Sequence, residues 1–446
     1  MSEAVLKIEK MAFGGAGFGH LNGKACFVPF TAPGDSVRIR ITKEKRSYLE
    51  GEMVELLEPS ERRITPPCPV FGTCGGCNWQ YLSYTDQLAE KEEIFAELLW
   101  RSGRVERDRI EAIAPAPEPF GYRSRIQLKV RCSGNEPQIG FYRAVSHSVV
   151  NIPEKCAVAH PLLNRLISSL RSVLAAFPET EKMPQIDAAV GDDGRTELVI
   201  HYIGNAAEEI NRHFGKSRHS LGADAIFLQT GRKKTLQKIA GGDSPALSYM
   251  VPSPSSTDPA GYRLEFSNGG FSQVNYQQNL TLIGIVISWA GLTGRERVLD
   301  IYCGNGNFSL PLAENAAHVL GVEDYRPSIT CARRNCAAYD VKNISFQCKD
   351  AVSAIKRLVS ADDKFDLVFL DPPRTGAAEV VRMIPALQPR AIIYVSCDPA
   401  TLARDIGTLK KSGYEVIKSR PVDMFPQTYH IESVTLLEYL NKSGEK

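Results

Sequence analysis

Apolar and polar residues alternate in short runs from Val5 to about Leu57, separated by glycine-rich turns: GGAGFGHLNGKACFVPFTAPGDSVRIRI. Alternation with a period of two predicts strands, and the NGK and APGD turns fold them into a small, OB-like β-barrel. The stretch EPSERRITPPCP has the proline and charge content of a linker. A strongly helical pattern covers about 85–101. Residues 120–266 mix strand-like runs (RIQLKV, TELVIHYIG) with a helix near 161–176, an α+β module ending at VPSPSSTDPAG.

After Gly269 the pattern changes to repeated strand–helix units. RVLDIYCGNGNFSLPLA reads as an apolar strand, a glycine turn and a helix start, and HVLGVEDY, DLVFLDPPR and AIIYVSC are further short strands ending in polar residues. Buried strands alternating with helices imply an α/β, Rossmann-like domain with a mostly parallel sheet. Ligands of such sheets lie beyond the carboxyl ends of the strands. That places Asp300, Tyr302, Glu323, Asp371 and Cys397 along one rim. The expected domains are 1–58, the barrel; 59–268, the central α+β domain, whose helix 85–101 is long enough to pack on its neighbour; and 269–446, the sheet domain.

A chain of 446 residues, 43% hydrophobic and 23% charged, fits a soluble protein of several domains. No apolar run approaches the roughly 18 residues that span a bilayer, and 283–290 reads as a core helix. MSEAVLKIEK has charges where a signal peptide needs an apolar stretch, so a cytoplasmic location without a membrane partner is expected. A net charge of +2 leaves polyanion binding to local patches, of which RIRITKEKR (38–46) and GRKKTLQK (231–238) are the candidates. An odd count of 11 cysteines argues against a disulfide framework.

DIYCGNGNF puts Gly304 and Gly306 in the first strand-to-helix turn, and Glu323 closes the next strand, where an acidic residue accepts hydrogen bonds from ribose hydroxyls. The third glycine of a pyrophosphate-binding fingerprint is absent, because Phe308 and Ser309 follow Asn307. S-adenosylmethionine, a nucleoside without phosphates, fits better than a dinucleotide. In DPPRTG, Arg374 takes the place of the aromatic residue that amine methyltransferases put after Asp-Pro-Pro. Cys303 reads as a small residue beneath the turn. Cys26, Cys132, Cys331, Cys336 and Cys348 read as buried thiols, and His430 either assists Glu432 or packs.

Together CPVFGTCGGC, FSQVN, DIYCGNGNF, GVE, DPPRTG, YVSCDP and DMFPQTYHIE resemble the RNA uracil-5 methyltransferases, in particular the 23S ribosomal RNA branch with a TRAM barrel and an iron–sulfur cluster. The resemblance implies a class I methyltransferase domain, Cys397 as the nucleophile that adds to uracil C6, and Glu432 as the general base. It gives Gln273, Tyr302, Asn307, Glu323, Asp350 and Asp371 to S-adenosylmethionine, and Arg374 to substrate or to orienting the site. Tyr302 and Asp350 stand where other members can carry Phe and Asn. The implied partner is 23S ribosomal RNA, met by a monomer. A transfer RNA T-loop uridine is the alternative substrate, and an RNA-binding assembly factor the alternative without catalysis.

Cys68, Cys74 and Cys77 have the spacing C-x5-C-x2-C, with Gly75 and Gly76 allowing a tight turn. Three thiolates need a fourth ligand, and Cys156 matches the family's distant fourth cysteine. Four thiolates suit zinc or an iron–sulfur cluster; the resemblance favours [4Fe-4S].

Overall fold

The six N-terminal strands close around a small apolar core because their inward positions are Leu6, Val28, Val37, Ile39 and Leu49. They form one sheet from Glu3–Lys7 to Tyr48–Glu58. The chain is represented by a computed structural model that describes residues 3–133, 136–144, 146–231, 235–242, 247–253, 261–266 and 270–440. The basic run 38–46 is largely neutralised on this barrel. Arg38 pairs with Glu55, Arg40 with Glu52, and Lys43 with Glu50 across neighbouring strands. Of the second basic segment, 232–234 lie outside the described residues while Leu236–Ala240 form an edge strand of the central sheet; 254–260 of the serine- and proline-rich stretch also lie outside.

The central module is a seven-stranded sheet built on Arg125–Ser133, Gln185–Val190 and Thr196–His201, with the helices Pro161–Ala175 and Ala207–Leu221 supplying its apolar cover. Leu163, Leu166, Ile167 and Leu170 repeat at helical spacing and are all buried against it.

The C-terminal sheet contains Arg297–Ile301 (β1), His318–Glu323 (β2), Ile344–Cys348 (β3), Leu367–Leu370 (β4), Ala391–Ser396 (β5), Tyr414–Val422 (β6) and Glu432–Tyr439 (β7). Their order is β3-β2-β1-β4-β5-β7-β6. The first five are parallel and β7 is antiparallel to both neighbours. β4 and β5 read LVFL and AIIYVS and are buried throughout, as strands covered on both faces must be. The strand order reverses at β1, so a crevice opens at the ends of β1 and β4.

The helix Tyr84–Leu98 packs in this last domain's core: Ile94 and Phe95, with Leu99 just past its end, share one apolar cluster with Leu299, Val368, Ile392 and Leu402. The hairpin of Ser248–Val251 and Tyr262–Glu265 belongs to the cluster on the opposite face of the sheet. Among the described residues no helix is long and apolar enough to cross a membrane. Cys26, Cys331 and Cys336 are buried as expected, but Cys132 is half-buried and Cys348 exposed. Cys348 is the last residue of β3, where the strand leaves the core.

Candidate active site

The turn after β1 is held in an unusual backbone conformation. Tyr302, a non-glycine residue, has φ +69°, fixed as its N–H donates to the Val322 carbonyl at 2.8 Å. Gly306 has φ +91°, and a Cβ there would stand 2.7 Å from Leu310 Cδ1. The Glu323 carboxylate at the end of β2 accepts from Gly304 N (3.3 Å) and Tyr325 N (2.8 Å) and so is locked against the turn. Asp350, past β3, caps the helix Ala351–Ser360 by accepting from Ser353 N at 2.9 Å, which lowers its pKa.

Tyr302, Gly304, Glu323 and Asp350 line a cavity of about 660 Å³ at the carboxyl ends of the strands. Gln273, Tyr302, Glu323, Asp350, Asp371, Arg374, Cys397, His430 and Glu432 all reach it. Two expected residues do not. Asn307 is buried away from it, its carboxamide paired reciprocally with that of Asn279 (2.8 and 2.9 Å), so its side chain braces the turn. Asp300 lies fully buried beneath the rim, with its carboxylate accepting from Ser309 Oγ at 2.5 Å.

The far wall carries Asp371, Cys397 and Glu432. Burial, then the neighbouring Asp300, pushes the Asp371 pKa up to about 7, and Asp300 itself stands at about 7 through burial. Burial and Asp371 raise Glu432 well above the usual carboxylate range, with Arg374 opposing. Burial pushes Cys397 up to about 12; Glu432 and Asp371 add to this, and Arg374 pulls it down. Asp398 contributes least, because it is turned away to cap the helix Pro399–Lys410, accepting from Thr401 N at 2.9 Å. Cys397 thus immediately precedes a helix N-terminus, whose dipole favours a thiolate. His430 is depressed to about 4 by burial and by Arg374, so it is a neutral ring packed near Phe425 and Tyr429.

A second cavity, of about 670 Å³, adjoins the first; Arg374, Phe425 and His430 line both. Cys68, Cys74, Cys77 and Cys156 share its wall with Arg123, Arg125, Lys129, Arg143 and Lys155. Sequence reasoning missed these cations, because they are scattered singly over three segments. Cys74 rises to about 11 and Cys77 to about 12, mainly through burial and partly through the neighbouring thiols. Donors nonetheless point at sulfur: Gly76 N reaches Cys74 at 3.4 Å, the Gln80 side chain Cys77, and the Val158 and Ala159 amides Cys156. Among the described residues no group of three His, Cys, Asp or Glu stands ready to hold one metal ion.

Strand order, the glycine turn and the carboxylate closing β2 define a class I methyltransferase. A family model for tRNA (uracil-5-)-methyltransferases matches residues 83–440, and one for the TRAM domain matches residues 2–54. The chain belongs to the RNA uracil-5 methyltransferase family, whose members are S-adenosylmethionine-dependent enzymes, and its barrel is a TRAM domain. It is 35% identical over 438 residues to the 23S rRNA (uracil(1939)-C(5))-methyltransferase of Methylococcus capsulatus, covering 97% of this chain and 96% of that protein. The protein of the same name from Alkalilimnicola ehrlichii is 33% identical, with the same coverage. An uncharacterised RNA methyltransferase of Thermosynechococcus vestitus is also 33% identical, over 97% of both chains. The crystal structure of the Pyrococcus abyssi tRNA (uracil-54, C5)-methyltransferase with S-adenosyl-L-homocysteine shares the fold: TM-score 0.73, 24% identity, and coverage of 98% of this chain and 100% of that one.

Proposed function

We propose that the protein methylates C5 of a uridine in 23S ribosomal RNA through a covalent bond between Cys397 and uracil C6, acting as a cytoplasmic monomer. The observation that carries this reading is that Cys397 and Glu432 face one cavity together with Glu323 and Asp371. S-adenosylmethionine, when bound, supplies the methyl group; Glu323 is placed to accept from ribose hydroxyls, and Tyr302, Gln273, Asp350 and Asp371 line the rest of its site.

Uracil C5 is a poor carbon nucleophile. Addition of the Cys397 thiolate to C6 turns the ring into an enolate whose C5 can take the methyl group. Glu432 then removes the C5 proton, the C5–C6 double bond re-forms, and the Cys397–C6 bond breaks. Arg374 favours the thiolate and the developing enolate oxygen alike. The target base must leave its stack, at an expense of a few kcal/mol in a duplex and less in a loop.

The relatives named above support ribosomal RNA; the family model's description keeps transfer RNA as the second reading. Mapping of 5-methyluridine in both RNA classes from cells with and without the gene decides. Loss confined to transfer RNA overturns the ribosomal assignment. A binding-only role would need neither a thiol nor a carboxylate on this wall.

For the cysteine cavity the proposed occupant is a [4Fe-4S] cluster held by Cys68, Cys74, Cys77 and Cys156. Its support is the four thiols on one cavity wall and the N–H donors aimed at sulfur, which tune such clusters. Brown colour and iron in anaerobically purified protein would bear this out; colourless, zinc-containing protein would refute it.

A further inference from the structure

The segment Asp423–Glu432 is gripped by every module of the protein. Gln87 and Gln427 form a reciprocal amide pair, Nε2 to Oε1 at 3.0 Å and Gln427 N to Gln87 Oε1 at 2.9 Å. Asn78 N and Trp79 N donate to the Gln427 carbonyl at 3.0 and 3.1 Å, and Tyr122 Oη to that of Pro426 at 3.0 Å. Gln427 itself has φ +68°. The barrel joins through Gly15, against which Tyr429 packs so closely that a Cβ there would stand 2.8 Å from the Tyr429 ring.

At the base of this segment lies Lys91, on the helix Tyr84–Leu98, with its side chain fully buried. Its ammonium donates to Asp423 Oδ1 at 2.5 Å and to the Phe425 carbonyl at 3.1 Å. The bonds bracket Met424 and fix where the chain turns before presenting Phe425 and His430 to both cavities and Glu432 to the first. A lysine in an apolar core is disfavoured unless paired, and an apolar residue would fill the same volume more simply.

We propose that Lys91 is a positioning residue for the methylation reaction: through Asp423 and the Phe425 carbonyl it holds the segment that aims the Glu432 carboxylate at the uracil C5 proton. A displaced base leaves thiolate addition and methyl transfer intact and slows only elimination. The inference rests on the function proposed above.

The test uses the full-length protein with its substrate RNA and S-adenosylmethionine. Lys91→Met leaves the buried Asp423 without its cation and risks misfolding, so Lys91→Met/Asp423→Leu, which removes both partners, is made beside it, with Lys91→Arg as the conservative rescue. The expected result in the charge-free double variant is about a 10- to 100-fold lower kcat with little change in KM for S-adenosylmethionine. Covalent protein–RNA adduct accumulates, amide exchange in 423–430 is faster than in the wild type while the sheet is unchanged, and the arginine variant recovers in part. Wild-type turnover, or adduct and turnover falling together with unchanged exchange at the segment, overturns the proposal. Glu432→Gln run in parallel separates the two ideas. If it accumulates no adduct, the covalent mechanism fails, and segment exchange together with kcat still decides the role of Lys91.

Discussion

Cys397 and Glu432 stand opposite each other at the cavity end of an antiparallel strand pair. Ser396 of β5 is in register with Ser433 of β7, so Cys397, one step after the first, and Glu432, one step before the second, face each other at the sheet edge. Because β7 runs against its neighbours, its first residue, Glu432, lies at the carboxyl end of β5. In the proposed mechanism the two side chains divide the chemistry: one adds to C6, the other clears C5.

That division predicts unequal variants. Cys397→Ala should abolish both adduct and turnover. Glu432→Gln should keep the adduct while losing about 10²–10⁴-fold in turnover, the usual worth of a general base. Denaturing gels of protein with labelled RNA distinguish the two; a methylating Cys397→Ala variant sinks the mechanism.

The pH dependence follows from the same wall. Asp371, at about 7, lies far above the unfolded value of about 3.9. Its folded-state pKa is raised, so its contribution to stability is complete below the unfolded pKa and is lost as pH rises through about 7. Glu432, raised in the same direction, extends the loss to higher pH. Without cofactor the melting temperature should therefore fall between pH 5 and about 8, and Asp371→Asn should flatten that fall. Equal slopes for the two proteins in thermal denaturation would contradict the burial argument.

Arg374 is exposed at the junction of both cavities and is the cation that lowers Cys397. Arg374→Ala should slow adduct formation about 10- to 100-fold near neutral pH, with partial recovery as the pH rises and the thiol ionises unaided. Arg374→Lys should lie between. Stopped-time adduct assays across pH read this directly, and a pH-independent deficit would assign Arg374 to RNA contact alone.

How much of this was readable beforehand differs by element. The parallel strands announced themselves because apolar runs such as LVFL end in chemistry-bearing residues; their order and the antiparallel run of β7 come from the fold alone. Cys397, Glu323 and Asp371 sit at those ends and were legible for that reason. Asp300 was misplaced by the same logic, since a place at a strand end does not say whether a side chain turns toward the cavity or down toward Ser309; Asn307 was implied by the resemblance, and its side chain pairs with Asn279 instead of lining the cavity. The barrel's basic run looked like a polyanion patch because the cross-strand glutamates that neutralise it lie a strand away. Lys91 gave no signal at all. It occupies one helical position among charged neighbours, and only the tertiary fold reveals that its partner is Asp423, far along the chain.

The cations of the second cavity carry the last prediction. Arg143 and Lys155 border the cysteine wall, and Phe141 and Tyr142 stand among them. If the cations track phosphates and the rings between them stack bases, a single strand would run along this cavity to the proposed methylation site past Arg374 and Phe425, which line both. Each cation that neutralises a phosphate releases counterions, so its removal lowers the salt dependence of binding by about one unit of slope. Arg143→Ala and Lys155→Ala should each weaken RNA binding with that loss of slope, while S-adenosylmethionine affinity, measured by calorimetry without RNA, stays unchanged. The matching control is Glu323→Gln, which should weaken cofactor binding about 10-fold or more and leave the RNA salt slope as it was. If both sets of variants moved both affinities, the two cavities would be serving one ligand, and the strand path would have to be drawn elsewhere on the surface.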